Sequence, residues 1–322
     1  MSNQSLPSGS GLLQRNPERR ADPGPAGLMS SLPVSDVPLP AGWQPALLSR
    51  TFSFDLPSHH TGQCYRVLVG LPAEKPSAEG YPVLWMLDGL ASYPLTEVAR
   101  SRSPGGAVAG WRQKDPAGLV VGIGYASGES FTTDARARDY TPESPGSAED
   151  PPSRAHGGAG AFLKFMLEEL RPLLACHLPM DPARHSLFGF SYGGLFVLHV
   201  LLTEPWHFQR YWAASPSLWF SDGLLLRKLP AGLSVLQRAG PLRVTLTVGL
   251  DEQYPEQFIS EAHQQHLQAR AMVERARAFG QQLEAAALPG LDLDFRVVPG
   301  HDHLDMLMHG ARRVVEHFAF SP

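Results

Sequence analysis

The chain reads as an α/β protein with a mostly parallel central sheet covered by helices on both faces. Three observations predict this. The runs 81–87 (YPVLWML) and 119–124 (LVVGIG) are continuously apolar, without the alternation of a sheet that has one wet face, which is the pattern of strands buried on both sides. Such runs alternate along the chain with stretches of helical apolar spacing. At 185–197 (HSLFGFSYGGLFV) a strand-like run passes into a helix-like run through a serine flanked by glycines.

Each element follows in order. Residues 1–45 hold eight of the chain's 30 prolines, mixed with Gly and Ser and without an apolar period, and are expected to be a disordered tail. The α/β domain is then expected over 46–322. Residues 51–54 (TFSF) alternate, and 65–69 (YRVLV) follow after a polar, glycine-containing connection, so the two form an opening antiparallel pair. The strand at 81–87 ends in Asp88-Gly89-Leu90, and the strand at 119–124 feeds a polar segment from Tyr125 to about Gly160. That segment carries Arg136, Arg138, Asp139, Tyr140, Thr141 and Pro142 ahead of many Pro, Gly and Ser residues. It is read as one long loop, and loops of this length are commonly functional or disordered.

Phe162, Phe165, Met166, Leu170 and Leu173 then recur at helical spacing, with a kink expected at Pro172. A short strand at 210–214 exits through Ser215-Pro216-Ser217-Leu218-Trp219, and the next strand is 243–249. One long helix through about Ala287 turns Val273, Ala276, Phe279 and Leu283 inward. A last strand at 293–298 and a helix at about 304–318 close the chain. Right-handed crossovers make these later strands parallel, which gathers chemistry beyond their carboxyl ends.

Composition narrows the function. The chain has 322 residues and a formal net charge of -4, with no electrostatic footprint for nucleic acid or an anionic membrane. Cys64 and Cys176 sit in apolar stretches and are too few for a disulfide framework, so packing is their expected role. No run reaches the roughly 18 apolar residues of a membrane helix, and the start lacks a signal-peptide core. The expectation is a cytoplasmic protein, or a periplasmic one if the start is misassigned. Its expected partner is a small-molecule ester, with no nucleic acid, membrane or protein-bound cofactor.

The ester follows from the serine. Gly189-Phe190-Ser191-Tyr192-Gly193 matches G-x-S-x-G, a turn so sharp that neighbouring side chains would collide with strand and helix. Ser191 at its apex is the candidate nucleophile, and the Tyr192 amide is placed for an oxyanion hole. A serine hydroxyl needs a base in hydrogen-bond reach and a carboxylate to orient that base. Both are expected after later strands, in the order serine, acid, histidine. Gly249-Leu250-Asp251-Glu252 and Pro299-Gly300-His301-Asp302-His303 supply them, with separations of 61 and 51 residues along Ser191, Glu252 and His303. Glu252 is favoured as the acid with Asp251 as its rival, and His303 as the base with His301 as its rival. The second oxyanion amide is expected from Gly89 or Leu90. His301-Asp302-His303-Leu304-Asp305 also fits H-x-H-x-D, part of a dinuclear-metal signature, but Met306 stands where that signature has another histidine. No metal site is therefore assigned.

Taken together, several stretches resemble the esterase D-like α/β-hydrolases, and within them the enterobactin/salmochelin-type siderophore esterases. They are 81–89 (YPVLWMLDG), 138–142 (RDYTP), 157–163 (GGAGAFL), 187–196 (LFGFSYGGLF), 215–219 (SPSLW) and 248–253 (VGLDEQ). The resemblance implies an α/β-hydrolase fold and a serine esterase that cleaves a tri-catecholate lactone and so releases its iron. It matches Ser191 and His303 to the family's nucleophile and base. A general carboxylesterase or thioesterase of the same fold is the alternative. The family usually has Gly-Ser after the catalytic histidine where this chain has Leu304-Asp305, and some members work with a serine–histidine dyad. A ferric tri-catecholate carries about three negative charges, so cations and planar faces are expected around it. Arg138, which lies in the family motif, and Arg136, Arg154 and Trp219 are the expected substrate-binding residues at the rim.

Overall fold

A computed structural model describes residue 48 and residues 50–100, 118–144, 154–256 and 259–317; the expected tail at 1–45 lies outside the described residues. Eight strands form one sheet in the order β1-β2-β4-β3-β5-β6-β7-β8. They are β1 (Thr51–Pro57), β2 (Cys64–Gly70), β3 (Tyr81–Leu87), β4 (Leu119–Tyr125), β5 (Met180–Phe190), β6 (Arg210–Ala214), β7 (Leu242–Gly249) and β8 (Leu291–Val298). β1 pairs antiparallel with β2 and β2 with β4, and every later pairing is parallel. The carboxyl ends of β3, β5, β6, β7 and β8 therefore line up along one edge, where the site is built.

The helices are α1 (Gly89–Arg100), α2 (Thr133–Tyr140), α3 (Ala159–Lys164), α4 (Arg171–Ala175), α5 (Tyr192–Thr203), α6 (Phe220–Leu236), α7 (Glu261–Arg270), α8 (Met272–Ala285) and α9 (His303–His317). Successive residues of a strand face opposite sides of the sheet, which explains the unbroken apolar run of β3. Val83, Trp85 and Leu87 join a core cluster with Tyr140, Phe162, Phe196, Leu225 and Phe279 from α2, α3, α5, α6 and α8. Leu84 and Met86 join a second cluster with Tyr93 of α1 and Met306, Leu307 and Val314 of α9. Among the described residues no helix is long and apolar enough to cross a membrane.

Four expectations are corrected. The segment after β4 is not one loop, because α2 lies within it and carries both Arg136 and Arg138. Its buried face is Arg136, Ala137, Asp139 and Tyr140, so no apolar period betrays it. The helix carrying Pro172 is not simply kinked: residues 165–170 widen into a π-helical turn in which the Arg171 amide bonds the Met166 carbonyl five residues back, and Pro172 follows at the start of α4, where it needs no N–H. The long helix before β8 is broken into α7 and α8 at Ala271, a left-handed residue with φ 45°. Finally, the cysteines do not pack in the core. Both are exposed, Cys64 at the edge of β2 and Cys176 just past α4.

Candidate active site

Ser191 follows β5 directly and precedes the first residue of α5, with φ 59° and ψ −118°. That is a costly conformation for a residue with a side chain, held only where the surroundings over-determine it. Here the Ser191 amide donates to the Ala214 carbonyl at 3.0 Å, its carbonyl accepts from Leu195 at 3.0 Å and from Ser217 at 3.1 Å, and β5 and α5 are buried on either side. The two flanking glycines have unequal reasons. A Cβ on Gly189 would lie 2.2 Å from the Gly193 carbonyl oxygen, whereas one on Gly193 would meet Leu87 Cβ at 3.4 Å, an ordinary contact.

The hydroxyl meets its base at once, since Ser191 Oγ lies 3.0 Å from His303 Nε2. His303 is the first residue of α9, immediately after the β8 exit loop, and its ring packs 4.5 Å from that of Phe190. On the other side, His303 Nδ1 lies 2.5 Å from Glu252 Oε2. A carboxylate can only accept, so Nδ1 carries the proton and Nε2 is left as the acceptor for the serine hydroxyl. This is the tautomer a general base requires.

Glu252 lies in a single 3₁₀ turn after β7 and is 3 % exposed. Its second oxygen, Oε1, accepts from the Gly249 amide at 2.7 Å and from the buried Ser215 hydroxyl. Both oxygens are therefore satisfied, as a buried carboxylate demands. Asp251 makes no hydrogen bond to His303; its amide donates to the His301 carbonyl at 3.2 Å. His301 is also turned away, with Nδ1 2.9 Å from the Pro299 carbonyl oxygen and its ring against His309 at 5.3 Å. The aspartate of the H-x-H-x-D pattern, Asp305, is spent on the helix start, where it and Asp302 hydrogen-bond each other's amides.

The oxyanion candidates stand at two helix starts. Tyr192 is the first residue of α5, and Gly89 and Leu90 open α1, where helix amides lack an intrahelical acceptor. The turn after β3 abuts the first turn of α5, since a Cβ on Gly193 would stand 3.5 Å from Asp88 Oδ2.

The expected rim residues fare differently. Arg136 is corrected outright: it is 7 % exposed and gives Nε and Nη2 to Asp88 at 2.5 and 2.9 Å. It lies beneath the surface because α2 turns it inward, beside Tyr140. Trp219 is not an open platform either. It is 5 % exposed, packs on Tyr192 at 5.8 Å, and has the Arg270 guanidinium over its ring at 4.5 Å. Arg154 reaches Asp134 at 2.9 Å on the outer side of α2. Arg138 is partly exposed, with Nε on Asp139 at 2.7 Å, while its Nη2 is buried without an acceptor among the described residues. Sequence reasoning missed Ser215, Asp88, Tyr140 and Arg270. Ser215 and Asp88 stand in the stretches SPSLW and LDG, and that was the available signal.

A serine activated by a half-exposed histidine that a buried carboxylate orients, with helix-start amides nearby, is equipped for acyl transfer. Comparison with known proteins agrees. The Esterase family model, described as "Putative esterase", matches residues 58–303. The chain is 31% identical over 264 residues to the ferri-bacillibactin esterase BesA of Bacillus subtilis, covering 78% of this chain and 83% of that protein. It is 35% identical over 195 residues to the siderophore enterobactin esterase of Emericella nidulans, covering 56% of this chain and 61% of that protein. Among solved structures, the BES protein from Bacillus cereus matches with a TM-score of 0.73 at 26% identity, over 87% of this chain and 99% of that chain. The family match spans Ser191, Glu252 and His303, and the chain accordingly belongs to the esterase family, as an ester hydrolase of the α/β-hydrolase fold.

Proposed function

We propose that this chain hydrolyses the ester bonds of a catecholate siderophore, an enterobactin-like trilactone, and thereby releases its iron. The observation that carries the chemistry is the continuous hydrogen-bonded line from Ser191 Oγ through His303 to Glu252. The substrate class is supported by the relatives, two of which are named as esterases of siderophores. Iron arrives with the substrate.

In the first half-reaction Ser191 Oγ attacks the ester carbonyl while His303 Nε2 takes its proton, and Glu252 stabilises the imidazolium that forms. The carbonyl oxygen becomes an oxyanion against the amides of Tyr192 and of Gly89 or Leu90. As the tetrahedral intermediate collapses, the ester C–O bond breaks and His303 returns its proton to the leaving alkoxide. Water then attacks the acyl-serine with the same base, yielding the carboxylic acid and free Ser191. Arg138 is the proposed cation for the catecholate, because its side chain is partly exposed and it stands in the RDYTP stretch.

The test is to incubate purified protein with ferric and iron-free enterobactin and follow catechol–serine fragments by chromatography. Both forms should be cleaved, at least ~100-fold better in kcat/KM than a short-chain p-nitrophenyl ester, since binding energy from the catechol rings is available at the transition state. Arg138→Ala should weaken turnover of the ferric form more than that of the neutral ester, because only the former presents the charge a guanidinium can pair with. If the lactone is untouched while the small ester or a thioester turns over well, the general esterase takes its place.

A further inference from the structure

Arg136 is buried, yet it occupies a distinctive position. Its guanidinium grips Asp88 in a two-point fork, Nε to Oδ1 at 2.5 Å and Nη2 to Oδ2 at 2.9 Å. The same Nη2 lies 3.5 Å from the Phe190 carbonyl oxygen. Asp88 immediately precedes Gly89 and Leu90, and Phe190 immediately precedes Ser191 and Tyr192. One side chain thus touches both segments that carry the candidate oxyanion amides.

The sheet alone does not join those segments. The β3–β5 pairing ends at Met86↔Phe188, two residues short of Asp88 and of Phe190. Beyond that point each chain turns into its own helix through a left-handed residue, Asp88 at φ 51° and Ser191 at φ 59°. From the same face of α2, one turn after Arg136, the Tyr140 hydroxyl accepts the Asp88 amide at 3.2 Å. Asp88 is therefore held through both side chain and backbone, and its carbonyl in turn accepts the Ala91 and Ser92 amides at 2.9 Å, setting the first turn of α1.

Stability alone gives little reason for this pair. Replacing a buried ion pair with apolar groups of the same volume is often neutral or favourable. What a paired fork supplies instead is direction, two parallel bonds that fix orientation as well as distance. We infer that Arg136 is a positioning residue for the oxyanion site: by tying Asp88 to Phe190 it sets the spacing between the amides of Gly89 or Leu90 and that of Tyr192. The inference rests on the proposed reading of those amides as oxyanion donors.

The test compares the parent with Arg136→Lys, which keeps the buried charge but loses the fork, and with Asp88→Asn, which keeps the shape. Each is titrated to its end point with a fluorophosphonate, so that rates are expressed per competent Ser191 and loss of folded protein drops out. Rates are then taken on a neutral p-nitrophenyl ester and on its thiono analogue, whose sulfur is a poorer hydrogen-bond acceptor. Both variants should lose about 10- to 100-fold in kcat on the oxygen ester with little change in KM, less than the ~10²–10³ for removing a donor outright. Their preference for the oxygen over the thiono ester should shrink by about 10-fold or more. An oxygen-to-thiono ratio equal to the parent's in both variants would overturn the positioning role and leave a structural ion pair. A parent ratio near one would overturn the oxyanion reading beneath it, whereas a parent that the fluorophosphonate does not label would overturn the serine mechanism itself.

Discussion

Asp302 and Asp305 exchange hydrogen bonds across the first turn of α9, the Asp305 amide donating to Asp302 Oδ1 at 2.9 Å and the Asp302 amide to Asp305 Oδ2 at 3.1 Å. This reciprocal cap satisfies two of the helix's orphan donors and places both carboxylates at the positive end of its dipole. His303 is the helical residue between them, so the cap also fixes the backbone that carries the base. Asp302→Ala should cost about 1 kcal/mol of stability, while Asp302→Asn, an equally good cap, should stay within a few tenths. Urea unfolding would show both, and equal losses in the two variants would rule out the cap. Because the cap positions His303, kcat should fall with stability in the alanine variant and not in the asparagine one.

Adjacent acids and near-adjacent histidines provide a sharp comparison at the triad. His303 lies 2.5 Å from Glu252 and 3.0 Å from Ser191, whereas Asp251 and His301 bond neither. Glu252→Ala should therefore lower kcat by roughly 10⁴, as for other triad acids, and His303→Ala by up to ~10⁶. Asp251→Ala and His301→Ala should each cost no more than about tenfold, a margin of ~1.4 kcal/mol. Steady-state rates on an activated ester decide it, and a reversed ranking in either pair would move that role to the neighbour.

The difference between these neighbours also marks how far the sequence was legible. The elbow was readable because its geometry demands small residues at fixed places, and Gly189 has no room for a side chain. The strands were readable because burial on both faces writes an unbroken apolar run. The choice between Asp251 and Glu252 depends on how a 3₁₀ turn swings successive side chains, and no local signal encodes that. Helix α2 was hidden for a related reason. Its inward face is Arg136, Asp139 and Tyr140, whose burial is offset by partners distant in sequence, Asp88 and Tyr65. The break between α7 and α8 falls on Ala271, a residue that on its own favours helix.

His185 yields the pH prediction. It is 3 % exposed, its Nδ1 accepts the Trp85 indole N–H at 2.9 Å, and its ring stacks on that indole. Burial first, and then the charge of Arg171, hold its imidazole down at about 3 rather than 6.5. The unfolded chain therefore binds a proton that the folded chain refuses between those two values. Stability from this residue is fully present above pH 6.5 and is lost as pH falls from there toward 3. At pH 5 the loss relative to pH 7.5 comes to about 2 kcal/mol. His199, held at about 4 by burial and by Lys228, adds to the same decline. His185→Gln retains an acceptor for the Trp85 N–H and cannot titrate, so its loss of stability between pH 7.5 and pH 5 should be smaller than the parent's by about 2 kcal/mol. Urea midpoints for the two proteins at the two pH values measure this difference directly. Parallel declines in parent and variant would mean that His185 takes up its proton in the folded state, and that its burial between Trp85 and Arg171 does not exclude the charge.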